Sequence, residues 1–206
     1  MIKRIVMGVL IMGMGFMLGG CMGAYTKEDM EKYAEERLEK KYGEEFVVCD
    51  FINISGTTFQ AYAYPKNNPD IIFRISYNVK IKGENEYEMD YYIEELVAAQ
   101  YKEIAEKSLA DFNYDYYVDI DLGWQRREVP ITDTSITIEE YNEVTEDRYK
   151  IPTCLVYMTY DVLSENDQYI YDYLYNIREN MSCYVSVFIV EKEDFKSIID
   201  EYSNRS

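Results

Sequence analysis

The 206-residue sequence predicts an α+β fold, a single domain in which helices pack on a twisted, mixed and largely antiparallel sheet. Apolar residues recur at helical spacing in some segments and alternate with polar residues in others. These segments follow one another in the order α-β-β-β-α-β-α-β-α-β-α. No Pro-, Ser- or Gly-rich linker separates them, although two half-domains that meet near Asn113 are the alternative.

The first half of the chain predicts two helices and three strands, at 26–43, 46–52, 57–64, 71–82 and 89–112. The first helix begins at Thr26, in a near capping box with Asp29, and ends at Gly43, because glycine is typical of a helix C-terminus. The third strand alternates between apolar and polar residues, as an antiparallel strand with one solvent face does. A helical repeat of apolar residues from Met89 to Phe112 predicts the second helix.

The second half predicts three strands that alternate with helices, at 116–122, 137–145, 151–163, 166–181, 183–190 and 195–202. Gly123 closes the first of these strands, and the stretch from Trp124 to Thr134 is irregular. Ile170 and Ile177 belong to the apolar stripe of the helix at 166–181. The strand at 183–190 is apolar on both faces, so we expect it to lie at the centre of the sheet.

The first 20 residues have the parts of a secretory signal: the cations Lys3 and Arg4, an apolar run too short to span a bilayer, and small residues before Cys21. The stretch Leu18-Gly19-Gly20-Cys21 resembles the lipobox of bacterial lipoproteins. This resemblance implies cleavage between Gly20 and Cys21, acylation of Cys21 Sγ, and a lipid anchor on the extracytoplasmic face of the cell membrane. The predicted domains are a signal peptide (1–20), a lipidated tether (21–25) and a globular part (26–206).

A second resemblance lies in the stretch MEKYAEERLEKKYGEEFVVCDF. It is similar to the opening of small, uncharacterised lipoproteins of clostridial Gram-positive bacteria. The resemblance implies an envelope location and an α+β fold, and it implies no activity.

The composition excludes several classes of function. A net charge of −18 excludes binding to nucleic acid through its phosphates, which needs clustered Lys and Arg. The absence of histidine removes the Ser-His-Asp, Cys-His and HExxH arrangements, and no glycine-rich nucleotide loop is present. Asp119 and Asp121 begin like a calcium loop, but Gly123 comes too early for that motif. We therefore assign no catalytic residue, cofactor or metal.

Cys49, Cys154 and Cys183 remain after Cys21 takes the lipid. Each lies among residues that favour β-strands, so we expect small buried hydrophobic side chains. The sequence does not decide whether Cys154 and Cys183 form a disulfide. The exterior of a cell permits one if the two strands are neighbours.

Tyrosine is in excess, with 23 residues, and exposed tyrosine is typical of interfaces. The candidate partner surface comprises Tyr169, Tyr171 and Tyr175, which flank an apolar helix stripe, together with Trp124, Arg126 and Arg127. We expect a non-catalytic envelope lipoprotein that binds a protein or cell-wall partner, and packing of these tyrosines at the edge of the sheet is the structural alternative. Two other functions stay open: a hydrolase that acts on cell-wall glycans with paired carboxylates, and a small solute-binding lipoprotein.

Overall fold

The structure, a computed structural model, describes residues 25–79, 88–122, 131–145, 151–159, 162 and 167–203. These residues form five helices: α1 (Lys27–Tyr42), α2 (Tyr92–Ser108), α3 (Ile138–Val144), α4 (Asp167–Met181) and α5 (Lys192–Ser203). They form seven strands: β1 (Phe46–Ser55), β2 (Thr58–Pro65), β3 (Phe73–Asn78), β4 (Glu88–Asp90), β5 (Tyr116–Asp121), β6 (Thr153–Thr159) and β7 (Tyr184–Val190). The predicted α+β class is confirmed.

Helix α1 has the caps that the sequence predicts. The amide of Asp29 donates to Thr26 Oγ1 at 3.1 Å, and the amide of Thr26 donates to Asp29 Oδ2 at 2.9 Å, which completes the capping box. Gly43 has φ 76°, in the left-handed region, and its amide donates to the carbonyl of Glu39 at 2.8 Å. Local chemistry therefore sets both ends of this helix.

The strands form two sheets, whereas the sequence analysis favoured one. The first sheet has the order β1-β2-β3-β4, and all its neighbouring strands are antiparallel. In the second sheet, of order β5-β6-β7, β5 and β6 are antiparallel, whereas β6 and β7 are parallel. The strand pairing is thus mixed and largely antiparallel, as predicted. The break between the sheets falls in the region of Asn113, where the alternative of two half-domains placed it.

Strand β7 corrects a second expectation. Its residues were predicted to lie at the centre of a sheet, because they are apolar on both faces. Instead β7 is an edge strand that pairs only with β6 among the strands of the described chain. Tyr184, Val187 and Phe188 of β7 are exposed, so the apolar run does not reflect burial on both faces.

Each sheet has its own hydrophobic core. The first core lies between α1 and the first sheet and contains Leu38, Phe59 and Tyr77. The second core lies between the second sheet and helices α2 and α4, and it contains Val97, Val156 and Ile177. Burying a large apolar side chain contributes about 1.5–3 kcal/mol, so both cores contribute substantially to stability.

Helix α2 joins the two cores. Tyr92, its first residue, inserts into the first core and packs against Phe46 and Phe73, with ring centroids 5.1 and 4.9 Å away. Further along α2, Val97 is buried in the second core, and Leu96 packs against both cores. The two sheets are therefore parts of one packed unit.

Candidate functional site

Helix α4 carries the three tyrosines of the predicted partner surface. Among the other predicted site residues, Gly20, Cys21, Trp124, Arg126 and Arg127 lie outside the residues that the structure describes. Tyr169, Tyr171 and Tyr175 are the predicted site residues that the structure describes.

Tyr171 and Tyr175 form a stacked pair on the outside of α4. Ile177 is fully buried, and with 100° of rotation per residue Tyr171 and Tyr175 lie roughly 120–160° around the helix axis from it. The two side chains are 58% and 43% exposed. Their ring centroids are 5.9 Å apart with an interplanar angle of 25°, so the two rings stack on each other. We call this pair the tyrosine patch.

Tyr169 lies on a different side of the same helix. Its ring stacks on Phe112, with centroids 5.8 Å apart and an interplanar angle of 18°. Its hydroxyl is shielded from solvent and makes no well-aligned hydrogen bond within the described chain. The Tyr169 hydroxyl still raises the pKa of Tyr173 by a polar contact, and desolvation adds to this effect, so the two hydroxyls are close but poorly aligned. Tyr169 thus belongs to the packing between α4 and the segment that follows α2, outside the tyrosine patch.

A shallow polar depression of about 410 Å³ lies between the end of α2 and α4. Its walls are Lys107, Ser108, Asp111, Tyr169, Asp172, Tyr173 and Asn176. The Tyr173 hydroxyl donates to the carbonyl of Asp111 at 3.0 Å, and Asn180 Nδ2 donates to Ser108 Oγ at 3.0 Å. Ligand pockets of about this volume are mostly apolar and enclosed, which this depression is not.

The fold places Glu95 and Asp119, which are far apart in the sequence, near enough for their charges to interact. Partial burial, together with the negative charges of Asp119 on β5 and of Glu94, raises the pKa of Glu95 on α2 to about 7. Glu95 is exposed as a residue, so its desolvation is incomplete. A carboxyl group with a pKa near neutrality can donate a proton, as general acid catalysis requires. In the described chain no group of three or more acidic or thiol side chains is arranged to hold a metal ion.

The three cysteines among the described residues, Cys49, Cys154 and Cys183, are free thiols, and no disulfide joins Cys154 to Cys183. Burial, with a smaller effect of the neighbouring Cys183, raises the pKa of Cys154 to about 12. Burial also raises the pKa of Cys183 and of the half-buried Cys49. All three thiols are therefore poor nucleophiles, because the thiolate is the reactive form.

The open edge of β7 was missed by the sequence analysis. Phe188 is 44% exposed and stacks on Tyr157 of β6, with centroids 5.0 Å apart. Tyr117 of β5 continues this row, 6.2 Å from Tyr157. The pattern of apolar residues indicated a strand here, but the neighbours of that strand come from the topology.

No protein-family model matches the chain, and no curated protein matches its sequence. Among solved structures, the crystal structure of a DUF5037 family protein from Ruminococcus gnavus is similar, with a TM-score of 0.59 and 22% sequence identity. The similarity covers 82% of this chain and 78% of that one. At this identity the likeness shows the fold alone. Within the described residues, none of the helices combines the length and the apolar character that a bilayer span needs.

Proposed function

We propose that the protein is a cell-envelope lipoprotein, anchored through Cys21, whose globular part binds a protein or cell-wall partner through the tyrosine patch. The lipobox supports the anchor, and the clostridial source of the structure with a similar fold fits the envelope lipoproteins that the sequence resembles. The observation that carries the binding role is the stacked and exposed pair Tyr171 and Tyr175.

Such a pair has the properties of an interface anchor. Tyrosine offers a large apolar ring with a polar tip, and it is enriched among residues that dominate binding energy. Stacking already restricts both rings, so little further side-chain entropy is lost when a partner covers them. Asp172, Arg178 and Glu179 are exposed on the same helix and can supply the polar rim that interfaces have.

The anchor is tested with Cys21→Ser in the cell that makes the protein, with Cys49→Ser as the matched control. We expect the Cys21→Ser precursor to stay uncleaved and to take up no labelled fatty acid, because the serine hydroxyl does not replace the thiol that accepts the lipid. The control keeps the lipobox, so it should mature and take up the label normally. Normal maturation and labelling of Cys21→Ser would contradict the proposed anchor.

The partner role is tested by chemical crosslinking on intact cells followed by mass spectrometry. We expect a reproducible partner with the wild type and its loss in the double variant Tyr171→Ser/Tyr175→Ser. The control is Ile52→Ser/Ile54→Ser, which changes two side chains of similar exposure, 49% and 47%, on β1. Equal recovery from both variants, or no reproducible partner at all, would count against the tyrosine patch.

A hydrolase that acts on wall glycans is the second candidate, and the raised pKa of Glu95 beside Asp119 favours it. Glycosidases act with a pair of carboxyl groups, of which one is a proton donor with a raised pKa. Release of new reducing ends from purified cell wall by the wild type, and its loss in Glu95→Gln, would support this function. Equal release by the two proteins would exclude a catalytic role for Glu95.

A further inference from the structure

The edge of β7 differs from the other sheet edges in the described chain. Edge strands expose unpaired backbone amides and carbonyls, and soluble proteins normally protect them with short strands, bulges or charges. The edge strands here are β1 and β4 of the first sheet and β5 and β7 of the second. Strand β7, with the sequence YVSVFIV, has seven residues and carries no charge and no proline.

The other three edges are protected. The amide of Val48 on β1 donates to Glu35 Oε1 at 3.2 Å, and register shifts interrupt β1 around Phe51. Strand β4 has only three residues. The amide of Ile120 on β5 donates to the carboxylate of Asp119 at 3.0 Å. No register shift interrupts the pairing of β7 with β6, so the outer edge of β7 is regular.

One hydrogen bond fixes which groups of β7 point outward. The amide of Tyr184 donates to the carbonyl of Pro152 at 2.9 Å, so Tyr184 turns its backbone groups toward β6. Because successive residues of a strand alternate in direction, Val185, Val187 and Ile189 turn their amides and carbonyls to the open edge. Only another strand supplies donors and acceptors at that spacing.

We propose that β7 pairs with β7 of a second copy of this chain, antiparallel and centred on Val187. In that register Val187 faces Val187 of the second copy and Val185 faces Ile189, which gives about six inter-strand hydrogen bonds. A shift by two residues would leave outward groups unpaired at both ends of the strand. Two sheets would then join into one continuous sheet across a twofold axis, which is the commonest symmetry of homo-oligomers.

The absence of charge on β7 makes it the edge at which a second copy of this acidic chain can pair. Like charges that lie opposite each other destabilise the pairing of two strands. This matters for self-pairing here, because the chain has a net charge of −18. Strands β1, β4 and β5 all contain acidic residues, whereas β7 contains none. The charged residues that follow β7, Glu191 and Lys192, would face Cys183 and Ser182 of the second copy. Strand β7 is thus the edge strand of this chain that fits its own copy best.

Val187→Pro in the full-length protein separates this pairing from the fold. The substitution removes an amide that points to the open edge, where proline is tolerated, and leaves the bonds to β6 in place. In sedimentation experiments in density-matched detergent, we expect a concentration-dependent dimer for the wild type and for Val187→Ala. Val187→Pro should raise the dimer dissociation constant at least about tenfold.

Val187→Cys tests the register. Strand partners in this register have Cα atoms about 5.5 Å apart, within the range of a disulfide, so mild oxidation should give a covalent dimer of about twice the monomer mass. The control Ile54→Cys introduces an exposed thiol on β1 and should give none. A monomeric wild type, a dimer that survives Val187→Pro, or adducts of Val187→Cys with other proteins alone would each overturn the proposal. The proposal is independent of the tyrosine patch, and Tyr171→Ser/Tyr175→Ser should leave the dimer intact.

Discussion

At the scale of single residues, Asp90 is the most constrained charge in the described chain. Its side chain is 2% exposed and accepts hydrogen bonds from Lys41 Nζ at 2.8 Å and from the Tyr42 hydroxyl at 2.5 Å. The amide of Tyr92 adds a weaker contact at 3.4 Å. This carboxylate therefore ties the end of α1 to the start of α2.

Asp90→Asn should destabilise the protein by about 2–4 kcal/mol, because it puts a neutral amide in place of the buried carboxylate that accepts from Lys41 Nζ and the Tyr42 hydroxyl. Urea unfolding followed by circular dichroism measures this loss. The control Lys66→Met breaks an ion pair between two exposed side chains, Lys66 and Glu45 at 2.9 Å, and should change the stability by less than about 1 kcal/mol. Similar losses of unfolding free energy in the two variants would show that the buried ion pair of Asp90 stabilises the protein no more than an exposed one does.

Glu95 gives the stability a predictable dependence on pH. Its pKa rises from an ordinary value of 4.5 to about 7 in the folded protein, so between these values the folded state holds a proton that the unfolded state has lost. The contribution of Glu95 to the free energy of unfolding is therefore fully present below pH 4.5 and is lost as the pH rises through about 7. Glu95→Gln should therefore remove this slope and stabilise the protein at pH 8, by at most about 1 kcal/mol because the residue is exposed.

Glu103 on the same helix serves as the control for Glu95. A hydrogen bond from Lys107 lowers the pKa of Glu103, so its contribution to stability is present at neutral pH and is lost as the pH falls below 4.5. Glu103→Gln should leave the slope between pH 4.5 and 7 unchanged. If Glu95→Gln also leaves that slope unchanged, Glu95 is not protonated in the folded state at those pH values.

At the scale of elements, Gly43 decides how α1 ends. An added Cβ at Gly43 would meet nothing within 4 Å, so the cost of a side chain there comes from the left-handed backbone alone. Gly43→Ala should lower the free energy of unfolding by about 1 kcal/mol, and Gly43→Asn by less, because asparagine tolerates this conformation better. Thermal unfolding of the three proteins checks this order. An alanine variant as stable as the wild type would mean that α1 ends in another way.

The elements themselves were largely predictable from the sequence, because most of their signals are local. Capping residues and periodicity predicted α1, and the alternation from Ile71 predicted β3, although the structure ends that strand at Asn78. Strand β4 was missed, because three residues carry no periodic signal and Met89 also fits the start of a helix. The edge position of β7 was missed for a different reason. Apolar residues on both faces predict burial, but the order of strands in a sheet is set by contacts between distant segments.

The candidate site was predictable only in part. Helical spacing alone places Tyr171 and Tyr175 away from the apolar stripe of Ile170 and Ile177, and both are exposed. Tyr169 has a similar offset in sequence, yet it packs on Phe112, which belongs to a distant segment of the chain. The proximity of Glu95 to Asp119 is likewise a product of tertiary packing, so spacing in the sequence could not reveal it.

At the scale of the whole molecule, α2 decides whether two sheets behave as one unit. Tyr92 contributes to the first core, Val97 to the second, and Leu96 to both. An isolated helix of this length is only marginally stable in water, so α2 depends on both cores for its stability. Loss of either core would therefore weaken the other through the helix that they share.

The native thiols can report this coupling, because Cys49 lies on β1 and Cys154 lies on β6. Burial raises the pKa of both thiols in the folded protein, so both should alkylate slowly until their own sheet unfolds. In a urea series with short alkylation pulses and peptide mass spectrometry, we expect one midpoint for both residues. Val156→Ala, which truncates a side chain of the second core alone, should lower the Cys49 midpoint together with the Cys154 midpoint. If only Cys154 responds, α2 transmits no stability between the sheets, and the chain folds as two independent halves.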